Sequence, residues 1–200
     1  MYKRQIIYCE SQEGYLRRFD RRTGESVDIK PQPIAGEEEL RHNWDSPILI
    51  SPHSHTRLYF GSKKLHRSDD RGDSWTEISP DLSRNQDRFQ LPFMDRVWSI
   101  DGLWDLYAMS QYGNITSISE SPIVEGLLYV GTDDGLIQVS EDGGSNWRSV
   151  DKIFGVPEGF FVNDIKADLH DPDTVYAVMD DHKTGDYDPY AFSYTHLRAH

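Results

Sequence analysis

One octapeptide occurs twice in this chain, and each copy lies near the end of a longer repeated segment. Residues 68–75 read SDDRGDSW and residues 140–147 read SEDGGSNW, so both fit the pattern S-x-D-x-G-x-[S/N]-W. Upstream of the two copies the chain reads RLYFGS then LHRS, and LLYVGT then IQVS. Short apolar runs separated by Gly, Asp and Ser predict strands joined by tight turns. The repeated unit is therefore predicted to contain four short strands.

The spacing of the repeats predicts a β-propeller. A third, incomplete copy starts at Val162, where DTVYAV replaces RLYFGS, and Tyr176 follows Tyr129 by 47 residues. Four-stranded propeller blades repeat every ~40–50 residues. The N-terminal segments IIYCE, GYLRRF and VDIKP fit strands two to four of an earlier blade. The predicted fold class is all-β, a β-propeller fragment of about three to four four-stranded blades.

The repeats also predict where the blades begin and end. The expected segments of the partial propeller, residues 1–192, are a partial blade 6–30, a blade 44–80, an inserted connection 81–113, a blade 114–151 and an incomplete blade 161–192. Residues 193–200, SYTHLRAH, resemble the translated read-through of a sequencing adapter and are predicted to be a non-native tail. We expect the full-length chain to supply the remaining blades.

The octapeptide itself is interpreted as an architectural turn. Short Ser and Asp side chains can bond to nearby backbone amides, and Gly supplies a positive φ. The Trp that ends each copy can pack its ring against the turn. The residues assigned this structural role are Ser68, Asp70, Gly72, Ser74 and Trp75 in the first copy and Ser140, Asp142, Gly144, Asn146 and Trp147 in the second.

These turns resemble the Asp-box, also called the BNR repeat. The linking stretches RHNWDSPILISP and LLYVGTDDGLIQVSEDGG are most similar to bacterial proteins with a sortilin-type (vacuolar protein sorting) propeller, many of them labelled glycosyl hydrolases. The resemblance covers residues 1–192. It implies that the Asp-box turns are structural and lie on the face away from ligands. It also implies a secreted or periplasmic location for full-length relatives, although no signal peptide is visible in this sequence.

Charge and composition limit the partners that we expect. A formal net charge of −13 argues against nucleic acid, because the chain has no excess of cations to replace phosphate counterions. No apolar run approaches the roughly 20 residues of a membrane span. The single cysteine, Cys9, stands in the apolar run IIYC and is predicted to be a buried strand residue. A single cysteine excludes a cysteine-based zinc cluster, and we expect no metal. We also expect no cofactor, since neither a phosphate-binding nor a dinucleotide-binding motif is present.

Candidate ligand-binding residues fall on the face opposite the octapeptide turns. Three of them precede the first full blade, and three aromatic residues belong to the connection 81–113. Exposed aromatic rings beside carboxylates are typical of a cleft that binds sugars. The six candidates are Arg41, Asn43, Trp44, Trp98, Trp104 and Tyr107.

Several carboxyls on the same face are candidates for catalysis. A glycoside hydrolase needs two carboxyl groups roughly 5–10 Å apart. A sequence alone provides no such distance, so every acid of this face stays open. The candidate catalytic carboxyls are Asp45, Asp101, Asp105, Asp133 and Asp134.

Three functions remain open at this point. The first is an interaction module, similar to sortilin-type receptors, that binds a peptide or protein ligand. The second is an extracellular glycoside hydrolase with a carbohydrate ligand, to which the aromatic and acidic connection 81–113 points. The third is a scaffold that presents its loops and edges to other domains. A groove that faces two acids and an aromatic ring would distinguish the hydrolase from the others.

Overall fold

The described part of the chain is built from antiparallel β-sheets. The computed structural model describes residues 5–92, 95–98, 111–150 and 152–195. Within these ranges three 3-10 helices occur, at Gln12–Gly14, Arg88–Gln90 and His182–Thr184, and no α-helix. The first sheet contains β1 (Ile6–Ser11), β2 (Tyr15–Asp20) and β3 (Ser26–Asp28), and the second contains β4 (Ile48–Ile50), β5 (Leu58–Gly61), β6 (Leu65–Ser68) and β7 (Thr76–Glu77). The third contains β8 (Ile115–Glu120), β9 (Leu128–Thr132), β10 (Ile137–Ser140) and β11 (Arg148–Val150), and the fourth contains β12 (Phe161–Ala167), β13 (Thr174–Asp181) and β14 (Asp186–Thr195).

Each sheet is a meander in which consecutive strands are neighbours. The two octapeptides form the β6–β7 and β10–β11 turns, and the β5–β6 and β9–β10 turns lie at the opposite ends of the same strands. In the first and fourth sheets, the β1–β2 and β13–β14 turns correspond to the β5–β6 and β9–β10 turns. The molecule therefore has two faces, one marked by the octapeptide turns and one by the turns that precede them.

The core lies between consecutive sheets. One cluster joins the first and second sheets, another the second and third, and a third the third and fourth. In β5, Leu58 and Phe60 pack toward the first sheet while Tyr59 packs toward the third, and all three are fully buried. Because side chains alternate between the faces of a strand, a strand covered on both faces is apolar throughout. This explains why LYFG and LYVGT lack the polar alternation of a half-exposed strand.

A tyrosine at the centre of the repeat connects the second sheet with the third and the third with the fourth. The Tyr59 hydroxyl donates to Oε1 of Glu120 in β8 over 3.2 Å, and the Tyr129 hydroxyl donates to the backbone oxygen of Pro172 over 3.4 Å. Both rings are fully buried, whereas the equivalent Tyr176 in the fourth sheet is 47% exposed. The same position in the repeat therefore makes a hydrogen bond to the following sheet in both the second and the third sheet.

The first octapeptide satisfies its own backbone groups. The Ser68 hydroxyl donates to Asp70 Oδ1 over 2.8 Å and accepts from the Gly72 amide over 2.7 Å. The Asp70 carboxylate accepts from the Ser74 amide over 2.9 Å and from the Ser74 hydroxyl over 2.6 Å. The turn thus contains acceptors for its own amide and hydroxyl donors.

The second octapeptide repeats this network. The Ser140 hydroxyl donates to Asp142 Oδ1 and accepts from the Gly144 amide, each over 2.9 Å. The Asp142 carboxylate accepts from the Asn146 amide over 2.8 Å and from Asn146 Nδ2 over 2.7 Å. Ser74 and Asn146 are therefore interchangeable at this position, because each provides one backbone and one side-chain donor to the aspartate.

The tryptophans extend each turn to the preceding sheet. Trp75 Nε1 donates to the backbone oxygen of Ile29 over 2.7 Å, and Trp147 Nε1 donates to that of Ile78 over 2.9 Å. Ile29 directly follows β3, and Ile78 directly follows β7. The two indoles thus bind corresponding carbonyls in consecutive sheets, a contact between sheets that the local sequence pattern did not indicate.

The prediction for Cys9 was wrong, because this thiol is exposed. Cys9 lies in β1 on the side that points away from the second sheet, together with Ile7, which is 38% exposed. Among the described residues no sheet packs against this side. The apolar run was recognised correctly as a strand, but burial of its outer side depends on a neighbouring sheet rather than on the run itself.

The last strand extends beyond the predicted boundary of the incomplete blade. β14 continues through Phe192, and its register with β13 pairs Ser193 with Tyr176 and Thr195 with Thr174. The interpretation of residues 193–200 as a non-native tail stays a prediction.

Candidate functional site

The site is built around Asp133, in the β9–β10 turn on the face opposite the octapeptides. Its Oδ1 accepts from the backbone amides of Gly113 over 2.9 Å and Asn114 over 2.8 Å. Its Oδ2 accepts from Asn43 Nδ2 over 3.2 Å. Burial raises the pKa of Asp133 to about 7, and the adjacent carboxylate at position 134 adds to this, whereas the two amides and Lys183 act in the opposite direction.

Asp134 is fully buried and bonded to other parts of the chain. Its carboxylate accepts from the Thr132 hydroxyl over 2.6 Å and from the backbone amide of Arg84 over 2.7 Å. The Arg84 side chain donates to the backbone oxygen of Asp134 over 2.9 Å and pairs with Glu158 over 2.9 Å. Burial raises the pKa of Asp134. This carboxylate therefore fixes the connection that follows the second sheet.

A cavity of about 200 Å³ opens beside Asp133, between the third and fourth sheets. Its walls combine aromatic and apolar side chains with charges of both signs. The lining residues are Arg88, Leu91, Pro92, Trp98, Tyr112, Asp133, Glu158, Gly159, Phe161, Asp181, Lys183 and Thr184. Pockets that combine apolar walls with a few polar groups are the usual form of a ligand site.

Cations lie over the aromatic rings of this cavity. The Arg88 guanidinium lies 5.9 Å from the centre of the Tyr112 ring, and Lys183 Nζ lies 5.1 Å from the ring centre of residue 161, a phenylalanine. The guanidinium of residue 96, an arginine, lies 4.5 Å from the Trp98 ring centre. Such pairs contribute about 0.5–1 kcal/mol each at exposed positions. Each of these three rings therefore has a cation over its face.

Three side chains of the cavity, Lys183, Asp181 and Tyr112, have pKa values shifted in favour of their neutral forms. Burial lowers the pKa of Lys183, and the Arg88 charge lowers it further. Burial raises the pKa of Asp181, as it does for Tyr112, where the two adjacent carboxylates at positions 134 and 133 add to the effect. A neutral carboxyl can donate a hydrogen bond as well as accept one. These side chains therefore offer both hydrogen-bond donors and acceptors to the cavity.

The predicted ligand-binding residues before the first full blade lie in different environments. Arg41 is bound to the connection after the second sheet, where it donates to Asp81 over 2.7 Å. Asn43 is buried and donates to the central aspartate of the site. Trp44 is 39% exposed, and neither it nor the exposed Asp45 lines the cavity.

The predicted residues of the connection 81–113 are only partly described. Trp98 lines the cavity. Of the carboxyls predicted for catalysis, Asp133 and Asp134 adjoin each other, and Asp133 faces the cavity. The predicted residues that lie outside the described ranges are Asp101, Trp104, Asp105 and Tyr107.

The sequence analysis did not select Lys183, Phe161 or Arg88. Lys183 lies in the β13–β14 turn, the counterpart of the β9–β10 turn that holds Asp133. Alignment of the repeats could have identified this turn, since it ends the DTVYAV strand. Nothing in the local sequence indicates that the two turns line one cavity, because that depends on how the third and fourth sheets pack.

Two further observations concern metals and membranes. In the described ranges, no group of three or more His, Cys, Asp or Glu side chains could hold a metal ion. The described segments also contain no helix that is long and apolar enough to cross a membrane.

Comparison with known proteins identifies the fold. No family profile matches the chain, and no curated protein sequence matches it. Among solved structures it is similar to the GH74 xyloglucanase of Xanthomonas campestris, with a TM-score of 0.56 and 22% identity over 95% of this chain and 27% of that one. An ancestral GH74 enzyme gives a TM-score of 0.52 and 15% identity over 87% of this chain and 20% of that one. Raptor of Chaetomium thermophilum gives a TM-score of 0.54 and 12% identity over 97% of this chain and 15% of that one.

These likenesses establish the architecture alone. The four sheets are blades of a β-propeller, as predicted from the repeats. The chain spans between 15% and 27% of the length of the three proteins compared. The activity and partners of the whole protein are therefore proposals.

Proposed function

We propose that this chain is the ligand-binding part of an interaction propeller that binds a peptide or protein segment on the face opposite the octapeptide turns. The observation that carries the proposal is the cavity beside Asp133. It combines three ring side chains with acids and cations, and it lies between turns of two consecutive blades. Aromatic and Arg side chains are enriched where proteins bind one another. A peptide offers the apolar side chains and polar backbone groups that such a mixed lining accommodates.

The bonding of the two acids favours binding over catalysis. Asp133 and Asp134 each accept hydrogen bonds through both of their oxygens from groups of the chain itself. A carboxylate used as a nucleophile or base needs an oxygen directed at the substrate. These two acids therefore act better as supports of the surrounding turns than as a catalytic pair.

The alternative is an extracellular glycoside hydrolase of the Asp-box propeller type. The observation that favours it is that Asp133 and Asp181 line the same cavity, and that burial raises the pKa of both. A carboxyl that stays protonated near neutral pH can act as the general acid of such an enzyme. Trp98 and Tyr112 would then offer rings on which a sugar can stack.

The test begins with a displayed peptide library selected against the protein. Selected peptides are then measured by isothermal titration against the wild type and against Lys183→Met, which removes a cavity charge but keeps an apolar stem. Lys166→Met is the matched control, because Lys166 is an exposed residue of β12 that does not line the cavity. We expect at least tenfold weaker binding to Lys183→Met and unchanged binding to Lys166→Met. Equal affinities for all three proteins would overturn the proposal.

The hydrolase is tested separately with oligosaccharides. Reducing ends are measured after incubation with a panel of plant polysaccharides that includes xyloglucan. We expect no release above that of the Asp181→Asn variant. Release by the wild type that disappears in Asp181→Asn would establish the alternative instead.

A further inference from the structure

A second cavity lies on the face opposite the octapeptide turns, where the chain crosses from the first sheet to the second. It has a volume of about 360 Å³. Its walls are the start of β2, the end of β3 and parts of the connection from residue 30 to residue 42. None of its lining residues belongs to β1, and none lines the cavity beside Asp133. The two cavities are therefore separate features of one face.

The connection that forms this cavity is fixed at its beginning. Asp28 Oδ1 accepts from the Lys30 amide over 3.0 Å, and Gln32 Nε2 donates to the Lys30 backbone oxygen over 3.1 Å. Lys30 Nζ donates to the backbone oxygen of Glu13 over 3.0 Å. Two prolines in the same wall have restricted φ angles. The wall therefore has a defined shape, and the Lys30 ammonium group is already bonded to the chain.

Three consecutive glutamates follow in the same connection, and they differ in what they bind. Glu37 pairs with Lys64 and Glu38 pairs with Lys63, each over 3.1 Å, and both lysines belong to the β5–β6 turn. Glu39 lines the cavity and makes no hydrogen bond or ion pair with any described residue. The first two acids thus anchor the connection to the second sheet, and the third leaves an unpaired carboxylate in the cavity wall.

The polar groups that remain in this cavity are mainly acceptors. Within the described ranges, nothing donates to Asp28 Oδ2, to Gln32 Oε1 or to the Glu39 carboxylate. His42 also lines the cavity, and its Nε2 has no hydrogen-bond partner among the described residues. Burial lowers the pKa of His42 to about 3, so its ring is neutral. With two carboxylates and one ammonium group, the cavity suits a cation that donates several hydrogen bonds.

This cavity adjoins the proposed ligand site through one dipeptide. His42 lines it, and the next residue, Asn43, donates to Asp133 over 3.2 Å. Both residues of the dipeptide are buried, at 6% and 7% exposure. Consecutive residues lie only ~3.8 Å apart, whereas an extended segment of roughly six residues is ~20 Å long. A short peptide is therefore long enough to occupy both cavities.

We propose that this cavity is a second subsite for the same peptide ligand and that it binds a basic side chain, Arg or Lys. The inference rests on the proposed function. The Asp28 and Glu39 carboxylates pair with the cation, and Gln32 Oε1 accepts a further N–H. Charge-assisted hydrogen bonds of this kind are stronger than neutral ones. The net charge of −13 also favours the approach of a basic ligand over an acidic one.

The test extends the tightest peptide from the displayed library by four randomised residues at each end and repeats the selection. We expect Arg or Lys to be enriched at one of the added positions. The selected peptide is then made with arginine and with citrulline at that position, because citrulline keeps the shape of arginine without its charge. Isothermal titration should show at least fivefold weaker binding of the citrulline peptide to the wild type.

Protein variants locate the basic side chain. Glu39→Gln removes a carboxylate that has no described partner, and Glu25→Gln is the matched control at an exposed residue that lines neither cavity. We expect the preference for arginine over citrulline to fall to twofold or less in Glu39→Gln and to persist in Glu25→Gln.

The outcomes separate this subsite from the proposed function. No enrichment of basic residues, or the same preference for arginine in both variants, would overturn the subsite. Binding that is weakened by Lys183→Met but indifferent to Glu39→Gln would overturn the subsite alone and leave the site beside Asp133 in place. Failure of every peptide to bind would overturn both proposals.

Discussion

At the scale of single residues, the octapeptide turns depend on an aspartate carboxylate that accepts from its own turn. The Ser74 hydroxyl and amide, together with the Ser68 hydroxyl, lower the pKa of Asp70 to about 2. The fold therefore favours the charged form. The resulting stabilisation is present above the unfolded pKa of about 4 and is lost as the pH falls through about 2.

Replacement of this carboxylate should remove that pH dependence. Asp70→Asn keeps one acceptor oxygen but loses the charge, and because solvent screens this exposed group we expect a loss of only about 1 kcal/mol in the free energy of unfolding at pH 7. The loss should shrink between pH 4 and pH 2. Urea unfolding at a series of pH values measures this. Asp188→Asn, at an exposed residue of β14, is the control, and an Asp70→Asn curve parallel to the wild type would contradict the role assigned to Asp70.

At the scale of elements, the second octapeptide turn is in close contact with the preceding sheet. Gly143 and Gly144 both have positive φ, 72° and 100°. A Cβ at Gly143 would meet nothing within 4 Å, whereas one at Gly144 would lie 2.7 Å from the backbone oxygen of Ile78. The two glycines thus separate the cost of the backbone conformation from the cost of the contact between sheets.

We therefore expect different effects from the same substitution at neighbouring positions. Gly143→Ala should lower the free energy of unfolding by about 1–2 kcal/mol, the cost of a left-handed conformation with a Cβ. Gly144→Ala should cost about 1–3 kcal/mol more, because the turn must move away from the residue that follows β7. Thermal unfolding of both variants compares them. Equal losses would show that the turn does not press on the preceding sheet.

The strands were predictable from the sequence, and the contacts between sheets were not. LYFG and LYVGT have the apolar composition of central strands, and the octapeptides have turn chemistry that depends on few neighbours. Exposure of Cys9 and the position of Lys183 in the cavity beside Asp133 depend instead on which sheet lies alongside. Such contacts join residues distant in sequence, for which a single sequence provides no distance.

At the scale of the whole molecule, two sets of buried groups make opposite contributions to the pH dependence of stability. Burial lowers the pKa of His66 to about 4 and that of His42 to about 3. Their contribution to stability is present above the unfolded pKa of about 6.5 and is lost as the pH falls through these values. Burial raises the pKa of Glu10 and of Asp133 to about 7. Their contribution is present below the unfolded pKa of about 4 and is lost as the pH rises through 7.

These opposite contributions partly offset each other in weak acid. Between about pH 4.5 and pH 6.5 the unfolded state binds more protons at the histidines, and the folded state binds more at the two carboxyls. Asp133→Asn removes one of the contributions to stability that decrease as the pH rises. Relative to the wild type, the free energy of unfolding of this variant should therefore rise by about 1 kcal/mol per pH unit. His66→Gln should shift the slope by a similar amount in the opposite direction. Chemical denaturation across this range measures how the free energy of unfolding of each variant changes with pH. If both variants show the same slope as the wild type, the burial assigned to Asp133 and His66 is contradicted.

The central claim is that ligands bind on the face opposite the octapeptide turns, beside Asp133 and Lys183. The most direct measurement is hydrogen–deuterium exchange of the full chain with and without the tightest peptide from the displayed library. We predict slower exchange in the turns at 133–136 and 182–184 and unchanged exchange in the octapeptide turns at 68–75 and 140–147. Protection confined to the octapeptide turns, with none beside Asp133, would contradict the account.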